Sequence, residues 1–397
     1  MRKTGIIIAF VAATLTGAAQ KINTAEVVKD AEKQTTIMLR EIATAKETDK
    51  KGVSPRTLEN GKLKLVASRD WTSGFFPGEL WYLYELSGNK KWETTARAFT
   101  ADIEQEKTNG TTHDMGFKVY CSFGNGYRLT KDPHYKNVVI QAAKTLSKRF
   151  NPVAGVLRSW DHSKNKWDFP VIIDNMMNLE LLFEASKISG DQSLYKVAVS
   201  HADQTMKNHF RPDYSSYHVV DYDTVTGKIN KKTTHQGYAN ESAWARGQAW
   251  GLYGYTICYR ETKDVKYLKM AEHIAGFILN HPNLPKDGVP YWDFNAPAIP
   301  NEPRDASAAA VIASALYELS TYSNNGKKYK AEAGRILGSL TKSYRAPAGA
   351  ASGFLLLHST GTKPSNTEVD EPLSYADYYY LEALQRMKKL REGKKLF

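Results

Sequence analysis

Residues 187–202, KISGDQSLYKVAVSHA, contain one whole junction between two helices. Gly190 follows the tail of the first helix, where a left-handed stop favours glycine. Asp191 comes next, and its short carboxylate suits the free N–H groups of a new helix. Tyr195, four residues on, is placed to pin the turn against the helix beginning there. The same order of parts recurs at 85–98 (ELSGNKKWETTARA), 128–143 (RLTKDPHYKNVVIQAA), 260–275 (RETKDVKYLKMAEHIA) and 321–336 (TYSNNGKKYKAEAGRI). Trp92, Tyr135, Tyr267 and Tyr329 take the aromatic position. A unit that returns in this way predicts a repetitive all-α architecture.

Around these junctions the pattern predicts about twelve helices. One set, amphipathic, falls near 25–46, 89–107, 132–150, 191–209, 264–280 and 325–343. The other, near 71–87, 113–129, 173–189, 241–262, 305–323 and 374–390, is rich in small and apolar residues, as in DASAAAVIASALYEL at 305–319. Small side chains let helices pack closely around a shared axis. Six such hairpins closing on themselves make an (α/α)6 toroid; an open solenoid would need polar capping repeats at both ends. No strand-rich domain is expected, although residues 210–235 suit a short hairpin.

In a toroid every inner helix runs the same way, so every loop leading into one lies at the same mouth. Those loops carry most of the tryptophans and the unusual polar residues, whereas the loops leaving the inner helices are short. A ring of polar and aromatic side chains at one mouth is a binding site by geometry.

Composition narrows the chemistry. The 397 residues carry 54 Lys and Arg against 42 Asp and Glu, a net charge of +12, which favours anionic partners, among them nucleic acid, anionic lipid and acidic polysaccharide. Two isolated cysteines, Cys121 and Cys258, form neither a disulfide framework nor a zinc site. No HExxH, phosphate-binding glycine loop or Gly-x-Ser-x-Gly elbow is present. Residues 1–19 have a basic start, a short apolar run and small residues at Ala18 and Ala19, the pattern of a secretory signal. Export, to the periplasm in a Gram-negative source, is the expectation, with residues 20–397 forming one toroidal catalytic domain. No later stretch is long enough to span a membrane.

Two carboxylates stand at predicted starts of inner helices: Asp174, opening the apolar run VIIDNMMNLELLFEA (171–185), and Asp114, beside His113. Either could simply cap its helix. Together at one aromatic mouth they fit general acid–base work on a glycoside. Trp71, Trp160, Trp244 and Trp250 offer flat faces for sugar C–H surfaces, or core packing. Arg246 lies in an apolar helical context and needs an anion, either a substrate carboxylate or an internal Asp or Glu. His218 and Gln236 lie in the preceding loop. Ser359, Thr360 and Lys363, in HSTGTKPSNTE, could hold a sulfate or belong to an ordinary polar loop.

WTSGFFPGELWYLYE, HDMGF, IIDNMMNLELLFEA, HQGYANESAWARGQAWGLYGY, DASAAAVIASALYEL and ADYYYLEAL together resemble the unsaturated glucuronyl hydrolases of glycoside hydrolase family 88, from about residue 25 to the C-terminus. The resemblance implies an (α/α)6 toroid that removes a 4,5-unsaturated uronic acid from lyase-generated oligosaccharides without metal or organic cofactor. It implies Asp174 as acid/base and Asp114 as the second essential carboxylate. It places His113, Trp160, His218, Gln236, Arg246 and Trp250 at sugar- or carboxylate-contacting positions, and Trp71 in a subsite. The expected partner is an unsaturated uronyl oligosaccharide, sulfated or not, from glycosaminoglycans, rather than nucleic acid or membrane. A related hydrolase of unsaturated rhamnogalacturonyl pectin fragments and a non-catalytic carbohydrate-binding toroid are the alternatives.

Overall fold

The junction chemistry read from the sequence is realised in four of its five repeats. The computed structural model describes residues 22–397; the expected signal segment, 1–19, lies outside the described residues. Inner helix α2 (Phe75–Ser87) stops on Gly88 (φ 72°) and α6 (Asn175–Ser189) on Gly190 (φ 80°). Helices α4 (Asn125–Thr130) and α8 (Ala245–Thr262) make the same left-handed stop on Lys131 and Lys263, without glycine. One residue later a short side chain caps the next helix. Asn89 accepts from Lys91 N in α3 (Lys90–Ala101), and Asp132 from His134 N in α5 (Pro133–Ser147). Asp191 does the same for α7 (Gln192–Asn208) and Asp264 for α9 (Val265–Asn280). The fifth junction differs: α10 (Ala306–Leu319) ends on Ser320 in the right-handed region, and Asn325 makes no capping bond to α11 (Gly326–Ser339). Helix α1 (Thr24–Thr48) precedes the first junction, and α12 (Ser374–Arg391) follows the last.

Six segments form an inner ring. They are α2, a π-helical stretch (Gly116–Gly124) that runs into α4, then α6, α8, α10 and α12; each packs on the next, and α12 returns to α2. Helices α1, α3, α5, α7, α9 and α11 lie outside them. Every residue of α10 is buried, whereas α11 buries only Tyr329, Ala333, Ile336 and Leu337. The rings therefore sort by sequence pattern: apolar on all sides within, one apolar stripe without. Cys121 and Cys258 are buried free thiols.

The strands all lie in connections that lead from an outer helix to an inner one. β1 (Ser54–Glu59) and β2 (Lys62–Val66) form a hairpin ahead of α2, and β3 (Phe150–Asn151) pairs with β4 (Val156–Leu157). β5 (Phe169–Ile172) joins β6 (Val219–Tyr222) and β7 (Ile229–Thr233) in an antiparallel sheet. β8 (Ser359–Thr362) and β9 (Thr367–Glu371) form a hairpin ahead of α12. The hairpin expected within 210–235 is β6–β7. Its pairing with β5, and the hairpins β1–β2 and β8–β9, were not legible as helix-breaking loops.

Close approach of the inner helices rests on small residues. A methyl group on Gly254 of α8 would lie 2.4 Å from Met176 Cβ on α6 and 3.1 Å from the Met176 backbone. Gly254→Ala should therefore lower stability by about 1–3 kcal/mol, the usual cost of overpacking, as measured by urea unfolding.

Candidate active site

A cleft with about 500 Å³ of empty space opens among the connections to the inner helices. Its lining comes from their starts: Trp71 ahead of α2, His113 and Asp114 ahead of the π-helical stretch, Asp174 ahead of α6, Arg246 in the first turn of α8 and Tyr375 in that of α12. Trp160, Gln236, Thr362 and Glu368 reach it from the longer connections, and Arg56 from β1.

Asp174 does not cap α6. Its own backbone is already helical (φ −55°, ψ −28°), and its side chain makes no capping bond. The carboxyl instead lies at the cleft, 8% exposed. Burial is the chief reason its pKa rises to about 7; Arg246 pulls it down and Asp114 pushes it up. The two amides that follow are structural. Asn175 Nδ2 donates to Leu157 O at 3.2 Å, and Asn178 Oδ1 accepts from the N–H groups of Gly116 and Phe117. An apolar helix start thus carries an acid because its dryness keeps a proton on that acid near neutral pH.

His218 stands behind Asp174 because of strand register. Ile172 pairs with Val219, and Ile173 N donates to His218 O at 3.1 Å. His218 Nδ1 accepts the backbone N–H groups of His235 (3.1 Å) and Gln236 (3.0 Å), which places the proton of the neutral ring on Nε2. Burial, with the His235 ring and the Arg246 cation nearby, keeps that ring neutral. Its Nε2 lies 3.7 Å from Asp174 Oδ2, too long for a hydrogen bond, and the contact is not an ion pair. Of the two readings open for Trp250, a sugar-covering face and core packing, its burial favours the second. It is fully buried, with its ring against Phe117 and Tyr379, and its indole N–H has no hydrogen-bond partner among the described residues.

Asp114 does not cap its helix either. Its Oδ2 accepts from Thr112 Oγ1 at 2.6 Å, and its Oδ1 lies 3.1 Å from His113 Nε2. Burial holds the His113 pKa below the ordinary histidine value against the pull of Asp114. Trp160 is half-buried on a loop fixed by Ser159, whose N–H donates to Pro170 O and whose Oγ accepts from Ile172 N. It stacks on His162 and meets His218 edge-on. Trp71, also half-buried, packs against Phe75, Phe117 and Tyr375. Gln236 Nε2 lies 3.3 Å from both Gly361 O and Thr362 Oγ1.

Arg246 takes the internal partner. Nη1 donates to Asp305 Oδ2 (2.7 Å) and Thr360 O (2.6 Å), and Nη2 to Gly361 O (2.5 Å). The guanidinium therefore pins β8 against the starts of α8 and α10. Breaking such a buried pair typically costs about 3–5 kcal/mol. Its Nε is buried and has no partner among the described residues. Ser359 and Thr360 do not offer hydroxyls to a sulfate. Both are buried, and Thr360 Oγ1 donates to Arg304 O, because the carbonyl edge of β8 is turned inward to Arg246. Lys363 is half-buried and lies outside the cleft lining.

The sequence reading missed Arg56, Tyr375, Thr362 and Glu368. Arg56 and Glu368 pair across 312 residues of chain, which no local pattern reports. Tyr375 stands one residue before ADYYYLEAL (376–384), at the edge of an aromatic run that reads as core.

An (α/α)6 toroid with two carboxyls and two half-buried tryptophans at one mouth fits the class of carbohydrate-cleaving enzymes. The model of Glycosyl Hydrolase Family 88 matches residues 45–394, and the chain belongs to that family of glycoside hydrolases. Over 329 residues, 82% of each chain, it is 55% identical to an unsaturated glucuronyl hydrolase of Formosa agariphila. The crystal structure of an unsaturated glucuronyl hydrolase specific for heparin superposes with a TM-score of 0.88 at 49% identity, covering 93% of this chain and 99% of that one. An aspartate-to-asparagine variant of the Streptococcus agalactiae unsaturated glucuronyl hydrolase, complexed with dGlcA-GalNAc6S, superposes with a TM-score of 0.77 at 30% identity, covering 97% and 98%.

The raised pKa of Asp174 has a stability consequence. Between the unfolded value of 3.8 and about 7, the folded protein holds a proton that the unfolded chain releases. That contribution falls away as pH rises through this window. Asp174→Asn should therefore leave the melting temperature nearly unchanged at pH 4 and raise it at pH 8, as followed by thermal unfolding at both values.

Proposed function

We propose that this hydrolase removes 4,5-unsaturated glucuronic acid from the non-reducing end of lyase-generated glycosaminoglycan oligosaccharides, with Asp174 as proton donor. The observation that carries the reading is the Asp174 carboxyl itself, largely buried where it lines the cleft, with a pKa of about 7 and Asp114 on the same lining. The substrate carries a C4=C5 double bond conjugated to its carboxylate, an enol ether. Protonated Asp174 gives its proton to C4, and positive charge develops at C5 next to the ring oxygen. Water adds at C5, and the Asp174 carboxylate takes up the proton that this water loses. The product is a hemiketal at C5. It opens to a ketone, freeing the former ring oxygen on C1, and C1 then collapses to an aldehyde and releases the rest of the sugar chain.

Asp114 supports this chemistry by adding negative charge at the same end, which favours the protonated donor. Trp160 and Trp71 supply half-buried ring edges for the sugar, and the Nε2–H of His218 and Nε–H of Arg246 are donors without partners among the described residues. A binding protein would need neither carboxyl in this state. Pectin fragments are less well supported, since the similar proteins named above are glucuronyl hydrolases. Export is part of the same proposal, resting on the signal pattern of residues 1–19.

Mixing the protein with a glycosaminoglycan lyase digest should abolish the ultraviolet band of the conjugated double bond; binding without that loss would leave only a carbohydrate-binding protein. Asp174→Asn should keep the fold and lower kcat by roughly 10²–10⁴-fold, and wild-type turnover by this variant would remove the proton-transfer role. The wild-type kcat/KM should fall as pH rises above about 7, where Asp174 loses its proton. N-terminal sequencing of protein recovered outside the cytoplasm should begin near residue 20 if residues 1–19 are a cleaved signal.

A further inference from the structure

One wall of the cleft is built from two hairpins that the helix count does not contain. Arg56 of β1 grips Glu368 of β9 with both edges of a fork: Nε donates to Oε1 at 2.5 Å and Nη2 to Oε2 at 3.0 Å. Its Nη1 donates to Asp70 Oδ2 at 2.7 Å, and Asp70 Oδ1 accepts from the N–H and hydroxyl of Thr72. Two carboxylates thus share one guanidinium, and the group carries one net negative charge.

Glu368 is held in place at some cost. Its backbone sits in the left-handed region (φ 54°), as do those of Asn366 (50°) and Asp370 (61°). Across the hairpin, a methyl group on Gly361 would lie 2.4 Å from Glu368 Oε2, so only glycine leaves room for the carboxylate to lie there. Both Arg56 and Glu368 line the cleft, which Asp114 also faces. The +12 charge of the chain is therefore not gathered at this wall. A sugar hydroxyl can donate to the free lone pairs of Glu368. A sulfate ester has no proton to donate and brings a second negative charge against the first.

Resting on the hydrolase reading above, we infer that the Arg56–Glu368–Asp70 group is a specificity filter. The sugar position that faces it must carry a free hydroxyl, and a sulfate at that position is rejected. Sulfates elsewhere on the substrate are not affected by this wall.

The test compares kcat/KM for unsaturated uronyl–hexosamine disaccharides, unsulfated and with each single sulfate, for the wild type, Glu368→Gln and Asp70→Asn. The wild type should prefer the unsulfated sugar over one monosulfated isomer by about tenfold or more, and added salt should shrink that preference. Glu368→Gln should bring the ratio towards one, chiefly through KM for the sulfated isomer, and Asp70→Asn should move it the same way by less. Because the readout is a ratio within each protein, a general loss of activity does not mimic it. Equal turnover of all isomers by the wild type, or a preference unchanged in both variants, overturns the filter alone. Turnover of none of these sugars overturns the hydrolase reading and the filter with it.

Discussion

A carboxyl group that must be kept out of water and still be reached by a substrate sets the terms for this structure. Desolvation is what lifts the Asp174 pKa to about 7, and every element around it contributes to that desolvation. The inner ring supplies apolar packing, in which the Trp250 and Phe117 rings meet. The β5–β6 register brings neutral His218 to its back. Asp114, Trp71 and Trp160 line the same cleft as Asp174. A helix-capping aspartate in the same position would be held as an anion by backbone N–H groups. Asp174 avoids that fate because its own residue is already helical.

Charge in the rest of the site is held in ion-paired groups. Arg246 is neutralised by Asp305 and tied to two carbonyls of the 359–371 hairpin, so the cation that would otherwise depress the Asp174 pKa most is shared with a second acid. Arg56 is divided between Glu368 and Asp70. These ion pairs fix the β1–β2 and β8–β9 hairpins over a ring of helices, and they give the cleft walls whose polarity differs from the basic character of the chain as a whole.

Much of the architecture was legible because its signals are local. A stop residue, a capping side chain and an aromatic a turn later are all within ten residues of one another, and four junctions formed as those residues dictate. The boundaries of the inner helices were placed too early by two to four residues at α2, α6 and α8, because WTSG (71–74), ID (173–174) and ESAW (241–244) lie in turns and irregular backbone rather than in the helices they lead into. The fifth junction kept its helices without the cap, since burial of α10 on all sides holds them. In the site, the reading that put His113, Asp114, Trp160, Asp174, Gln236 and Arg246 at one mouth agrees with where the structure brings them. For Ser359, Thr360 and Trp250 the sequence left a ligand-facing and a plain structural reading open, and burial favours the structural one, because burial cannot be read from a residue's identity in a loop or in an aromatic run.

The sequence by itself determined the helices, their alternation and the mouth at which the chemistry-bearing residues collect, since helix termini and apolar periodicity act over a few residues. Only the tertiary structure decided how wet each of those residues is and which charges pair. Desolvation is a sum over everything packed nearby, and Arg56 meets Glu368 only after the ring has closed and brought together parts of the chain 312 residues apart.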